Sequence, residues 1–273
     1  MTELINEENL HDVLGQIAYQ IKDTMDTMHA ALQQVAPQDA RDGDRKLDEH
    51  AALLNRNFYR LRRLAGNLEE AAELDSPLCP PHSNDDIVGL CASVTERARY
   101  AAKLLDLTLE FKADTATKII ALDTVRIERL LLNLLSNAFK FTPRGGKVTV
   151  EVRAVSGAVE IHVSDTGCGI RSEYMENLFT RYRTMNYPDG TKRGLGLGLP
   201  ICRKIAQDHG GTLVVMSTEG GGTTVVATLE NKRTGMVTMG AWIATDYSGG
   251  FDRTRLELAD ALPKEAFLSK LTD

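Results

Sequence analysis

The chain has 273 residues, 42% of them hydrophobic and 26% charged, enough for two folded domains and a sizeable core. Its net charge of −6 carries no strongly basic run, which argues against nucleic acid or an anionic membrane surface as the main partner. No apolar stretch reaches the roughly 18 to 20 residues that span a bilayer. The first residues are acidic and polar rather than signal-like, and Cys79, Cys91, Cys168 and Cys202 show neither metal spacing nor a disulfide framework, so a cytoplasmic protein without membrane insertion is expected.

From Leu10 the apolar positions are Leu10, Leu14, Ile17, Ile21, Met25, Met28, Leu32 and Val35, a heptad-like stripe on one helix. The segment 37–44 breaks it with Pro, Gly and Asp. A second stripe follows at Leu47, Ala51, Leu54, Phe58, Leu61, Ala65, Leu68 and Ala72. The two helices should fold back as an antiparallel hairpin over residues 1–76. A lone hairpin leaves one side of each stripe wet, so pairing with a second copy in a four-helix bundle is expected, making a homodimer. A linker with three prolines, 77–84, separates this hairpin from a region of different character.

That second region, 85–231, mixes helices and strands. A helix over 85–104, short strands near 107–112 and 118–122, and a helix over about 123–141 are predicted. On the last of these, Asn133, Asn137 and Lys140 stand four and three residues apart and so share one stripe. Leu130, Leu131, Leu134, Leu135 and Ala138 spread over the remainder. An amide oxygen can complete the all-oxygen shell that Mg²⁺ prefers, and a lysine one turn on can meet phosphate as a point charge. The same stripe also reads as the solvated edge of a half-exposed helix.

Strands at 147–153 and 159–164 follow, the second ending in Asp165-Thr166-Gly167-Cys168-Gly169-Ile170. A carboxylate fixed at a strand end can accept a hydrogen bond from a base amino group, while Gly167 and Gly169 let backbone approach a flat ring. After Leu178-Phe179-Thr180-Arg181-Tyr182 comes a polar stretch without periodicity, read as a loop. It leads to Gly194, Gly196 and Gly198 at alternate positions before a helix with Pro200 in its first turn, an arrangement able to offer N–H groups to phosphate. Two strands around Gly220-Gly221-Gly222-Thr223 close the domain. The extension 232–273 carries Trp242, Tyr247 and Phe251, which are expected to pack on the domain, and two short amphipathic helices near 253–262 and 263–271.

Taken in order, NLLSNAFKFTP, DTGCGI, LFTRY, GLGLGLP and GGGT resemble the ATP-binding domain of the histidine kinase family, and five boxes in sequence are specific where each alone is weak. The resemblance implies an α+β protein: a helical hairpin followed by the α/β sandwich called the Bergerat fold, a mixed sheet faced by helices. It implies that Asn137 coordinates Mg²⁺ with Asn133 assisting, that Lys140 meets phosphate, and that Asp165 reads the adenine amino group. Gly167 and Gly169 would flank the base, Gly194, Gly196 and Gly198 would hinge a lid over ATP, and Thr223 would border the nucleotide. DNA gyrase and the mismatch-repair ATPases carry a glutamate base where Asn133 stands. An amide cannot take that proton, so the resemblance favours phosphoryl transfer to a protein over hydrolysis.

The phosphoacceptor departs from the family pattern. Ile17, Ile21 and Met25 occupy the apolar positions around the usual histidine, which puts Tyr19 at the histidine and Gln20 at its acid. A phenol has no lone-pair nitrogen to offer. A rival register, Leu10-His11-Asp12-Val13-Leu14-Gly15-Gln16, resembles the acceptor box of another subgroup, with His11 as acceptor and Asp12 as base. Three readings follow: a dimeric kinase that phosphorylates itself and then a response regulator, a degenerate ATP-binding scaffold, and a stand-alone ATPase.

Overall fold

The computed structural model describes residues 7–75, 82–182, 195–235 and 248–269, with side chains from residue 13 onward in the first of these. Two compact units divide the chain, 1–76 with 262–273 and 77–261. The chain therefore crosses between units twice, once near residue 76 and again near residue 261.

In the first unit, α1 (Glu7–Val35) and α3 (Arg45–Ala72) form the hairpin, with the short α2 (Gln38–Gly43) at its tip. Ion pairs Lys22–Glu69 and Asp26–Arg62 and the stacking of His29 on Phe58 run in opposite sequence order, so the helices are antiparallel. Asp44 caps α3, its carboxylate accepting the N–H groups of Lys46 and Leu47. Each heptad stripe splits in two. Ala18 and Met25 on α1 and Ala51, Phe58 and Ala65 on α3 fill the seam, while Ile17, Ile21, Met28, Leu54 and Leu61 are exposed.

The end of the chain adds a 3₁₀ turn, Lys264–Phe267, against α3, where the second amphipathic helix of the extension was expected. Pro263 starts it, and the chain is extended again at Leu268. The turn is anchored by buried charge. Arg41 pairs with Asp48 at 2.8 Å and donates to the Phe267 carbonyl, while Asp48 also accepts the Ser269 N–H.

The second unit is built on a five-stranded sheet in the order β2-β4-β5-β7-β6, comprising β2 (Thr108–Ala113), β4 (Lys147–Val155), β5 (Ala158–Asp165), β6 (Thr212–Ser217) and β7 (Thr223–Glu230). Only β2 and β4 run parallel; the remaining pairs are antiparallel, which makes the sheet mixed. A two-stranded ribbon of β1 (Ser83–Asp86) and β3 (Ile119–Leu122) lies apart from it. Strand β1 takes the last two residues expected in the linker and the first two expected in the helix over 85–104: its sequence, Ser-Asn-Asp-Asp, has no apolar alternation, and pairing with β3 holds it.

Helices α4 (Ile87–Leu104), α5 (Thr124–Phe141) and α7 (Gly198–Asp208) cover the sheet, joined by the single turn α6 (Ser172–Met175) and by α8 (Arg253–Leu258). The core lies between α5 and the inward residues Val148, Val150, Val152, Val159, Ile161 and Val163, all essentially solvent-free. An α+β protein with a hairpin followed by a mixed sheet faced by helices is thus what the residues build.

Candidate functional site

Helix α5 begins where Asp123 accepts the N–H groups of Val125 and Arg126, and from Ile127 to Ser136 every side chain is buried. Of its polar stripe, Asn133 is therefore enclosed, while Asn137 and Lys140 lie beyond the fully buried stretch. Asn133 is 1% exposed; its Nδ2 donates to the Arg129 carbonyl at 3.1 Å. Its Oδ1 faces the start of α7, where a Cβ on Gly198 would stand 3.3 Å away. Asn137 is half-buried one turn further on. Lys140 is ion-paired: its Nζ lies 3.2 Å from Asp260 Oδ2, with only 6% of its side chain exposed.

Asp165 ends β5 in register with Thr223 of β7. Its Oδ1 accepts the Gly167 N–H at 2.8 Å. Burial pushes its carboxyl above the usual carboxylate range, opposed by the backbone N–H groups of Gly167 and Thr223. The loop after β5 is stitched to the loop before β7, since Ile170 N–H donates to Ser217 Oγ at 2.9 Å and Gly220 N–H to the Cys168 carbonyl at 2.8 Å. Thr223 Oγ1 shares a hydrogen bond with the same Ser217 hydroxyl at 2.9 Å.

The glycines between Asp165 and Ile170 serve this stitching. A Cβ on Gly167 would meet the Phe141 carbonyl at 2.5 Å, and one on Gly169, which has φ +66, the Thr218 carbonyl at 2.0 Å. The close approach they permit is thus to the protein's own backbone, with α5 on one side and the β6–β7 loop on the other.

Gly198 opens α7, and Gly196 precedes it at φ +68. Gly194, most of the loop before it, Trp242, Tyr247 and the side chain of His11 lie outside the described residues. Tyr19 is 67% exposed on α1, in the first unit, whereas every other described site residue lies in the second. Asn133, Asn137, Asp165, Gly167, Gly198 and Thr223 thus gather around the C-terminal half of α5, the start of α7 and the adjoining ends of β5 and β7.

Sequence reading missed the charges that flank the stripe. Glu128 and Arg129 are buried, Glu128 pairing with Arg97 and with Arg253 and Arg129 with Glu257 at 3.4 Å. The signal was the placement of Glu-Arg directly before Leu130, Leu131 and Leu132, with Arg253 and Glu257 at helical spacing far downstream. Among the described residues no group of three or more His, Cys, Asp or Glu could hold a metal ion. A Mg²⁺ ligated by one carboxamide, phosphates and water needs no such cluster, so the amide-bearing α5 is compatible with that ion. Among the described residues no helix is long and apolar enough to cross a membrane.

The family described as histidine kinase-, DNA gyrase B- and HSP90-like ATPases matches residues 122–233. The chain is 48% identical over 103 residues to the histidine protein kinase DivJ of Caulobacter vibrioides, which covers 38% of this chain and 17% of that protein. It is 26% identical over 233 residues to the sensor protein SrrB of Staphylococcus aureus, covering 83% of this chain and 40% of that protein. The chain therefore spans less than half the length of either curated relative.

Among solved structures, the catalytic domain of histidine kinase ThkA matches 56% of this chain and 97% of its own at 25% identity, with a TM-score of 0.50. ThkA in complex with the response regulator protein TrrA shares the fold over 85% of this chain and 68% of its own, at 20% identity and a TM-score of 0.56.

Proposed function

Because the chain belongs to the histidine kinase family through its Bergerat-fold ATPase domain, we propose that it binds Mg-ATP in the second unit and serves phosphoryl transfer in cytoplasmic two-component signalling. One observation carries the reading: the half-buried Asp165 carboxylate, braced by the Gly167 N–H, stands at a strand end whose next loop packs Gly167 against the Phe141 carbonyl, at the end of the helix that bears Asn133 and Asn137. Asp165 receives the adenine amino group, and Gly167 and Gly169 hold the loop that borders the base. Asn137 offers its amide oxygen to Mg²⁺, with Asn133 fixing the neighbouring turn through its bond to the Arg129 carbonyl. When bound, Mg²⁺ supplies positive charge against the phosphates. Gly194, Gly196 and Gly198 offer N–H groups and the N-terminal end of α7 to the phosphate chain, and Thr223 closes the side near Asp165.

The domain division assigns residues 1–76 to dimerisation and acceptor functions, 77–84 to a linker, 85–231 to nucleotide binding and 232–273 to an extension. The exposed half of each heptad stripe supports a homodimer through a four-helix bundle. A response regulator is the phosphoryl recipient in this scheme.

Isothermal titration of the full chain with Mg-ATP tests the site. The wild type should bind, and Asp165→Ala and Asn137→Ala should each weaken binding at least about tenfold, the loss of one hydrogen bond or ligand to a charged group. Unchanged affinity in both variants removes the assignment.

The exposed Tyr19 at the acceptor level favours a second reading, an ATP-binding scaffold whose partner responds to nucleotide occupancy. Incubation with γ-labelled ATP separates the two. Acid-labile label on His11 identifies the kinase, whereas tight binding without label identifies the scaffold.

A further inference from the structure

We infer that the C-terminal extension carries a built-in competitor for nucleotide phosphate: Asp260 holds Lys140, and ATP can engage that lysine only when the pair separates. The inference rests on the reading of Lys140 as the lysine that meets phosphate.

Helix α8 is not loosely laid on the domain. Asp252 caps it by accepting the Arg255 N–H at 2.7 Å, and Leu256, Leu258 and Ala259 are buried. Three charge pairs fix its register along α5 in sequence order: Arg253 with Glu128, Glu257 with Arg129 and Asp260 with Lys140. Glu257 is 1% exposed and its guanidinium partner Arg129 7%, so undocking α8 would pull apart two buried opposite charges.

The third pair differs from the first. Lys140 shares its stripe with Asn133 and Asn137, whereas Glu128 lies round the helix beside α4, where it also meets Arg97. A carboxylate oxygen at 3.2 Å from Nζ occupies one of the ammonium's three N–H donors and offsets the charge that would draw a phosphate oxygen. A phosphate chain drawn to the same ammonium would also meet the Asp260 charge, and like charges in an enclosed site repel strongly. Helix α8 ends at Leu258, so Asp260 sits in the turn beyond it. That turn can release Lys140 while the Arg253 and Glu257 pairs keep α8 docked. Nucleotide affinity is therefore held down by the chain's own carboxylate, and whatever turns Asp260 away from Lys140 raises it.

The test measures binding of ATP and of adenosine, which lacks phosphates, to the full chain and its variants. Asp260→Asn should bind ATP about tenfold tighter than the wild type, the scale of a coupling between two ligands for one group, with adenosine affinity unchanged. Asp260→Glu should behave as the wild type, and Lys140→Ala should abolish the difference that Asp260→Asn makes. Asp260→Ser supplies a second neutral variant should the amide disturb folding. If the wild type binds ATP and neither neutral variant binds it more tightly, the competition is overturned while the nucleotide site stands. Failure of every protein to bind either ligand removes the site, and the competition with it.

Discussion

His209 holds the first turn of α5 through the backbone of Asp123. Its Nε2 accepts the Asp123 N–H at 3.0 Å and its Nδ1 donates to the Ile205 carbonyl at 2.7 Å, which fixes the neutral tautomer. The ring is buried and stacked on His82 with centroids 4.2 Å apart. Burial pushes His209 down to about 4 against its hydrogen bond to the Ile205 carbonyl, with His82 and Arg126 lowering it further and Asp123 opposing them.

The native protein therefore refuses a proton that the unfolded chain accepts below about 6.5. Stability from this group is fully present above that value and is lost as pH falls toward 4, by up to about 3 kcal/mol. Urea unfolding at pH 7.5, 6 and 5 should show the decline, and His209→Gln should flatten it. A wild-type profile with no slope between pH 6.5 and 4.5 would contradict the assignment.

Asp165 runs the opposite way. Its carboxyl is raised by burial, so ionisation at neutral pH costs stability, and that cost is relieved as pH falls through its folded value. Asp165→Asn keeps the shape, can still accept the Gly167 N–H and removes the buried charge. Melting temperature should stay level or rise, while ATP affinity falls about tenfold as the charged acceptor for the base is lost. In the wild type, ATP affinity should weaken on acidification before ordinary exposed carboxylates titrate. Stability and affinity falling together in Asp165→Asn would mean that Asp165 is structural.

Two glycines separate backbone strain from crowding. Gly145 has φ +79 with nothing within 4 Å of a Cβ, whereas Gly169 has φ +66 with the Thr218 carbonyl 2.0 Å from one. Gly145→Ala should cost only the left-handed penalty of about 1–2 kcal/mol. Gly169→Ala must in addition push the β6–β7 loop away from Cys168, so it should cost clearly more and weaken ATP binding as Asp165 shifts. Thermal melts of the pair decide the matter, and equal costs would mean that the stitched loops yield freely.

The features legible in the sequence are those in which a residue type violates its local pattern. Asn133 and Asn137 stood out because carboxamides interrupt a leucine-rich helix, and Asp165 because it ends an alternating strand before glycines. What escaped depends on partners far along the chain. Lys140 and Asp260 are 120 residues apart, and no periodicity couples them. Glu128 and Arg129 find Arg253 and Glu257 only more than 120 residues downstream, on α8. For the glycines of the loop after β5 the sequence suggests room for a flat ring; in the structure their missing Cβ atoms face Phe141 and Thr218, a relation that exists only once α5 and the β6–β7 loop are in place. The heptad stripes were read as single faces, although residues seven apart sort them into two.

That sorting yields a prediction about assembly. On α3, Ala51, Phe58 and Ala65 are buried against α1, while Leu54 and Leu61, three residues on from the first two, are 55% and 50% exposed. On α1 the exposed residues of the stripe include Ile17 and the series Ile21, Met28 and Val35 at steps of seven. In the proposed homodimer this row meets its own copy about a two-fold axis, where burying each leucine contributes about 1.5–3 kcal/mol per copy. Leu54→Glu with Leu61→Glu should therefore convert a dimer to a monomer in light scattering at micromolar concentration, with helix content retained because the seam residues are untouched. Phe58→Ala should act differently, lowering the melting temperature through a cavity at the seam worth about 3–5 kcal/mol. A wild type that is monomeric, or a double glutamate variant that remains dimeric, would place the dimer contact elsewhere or exclude it.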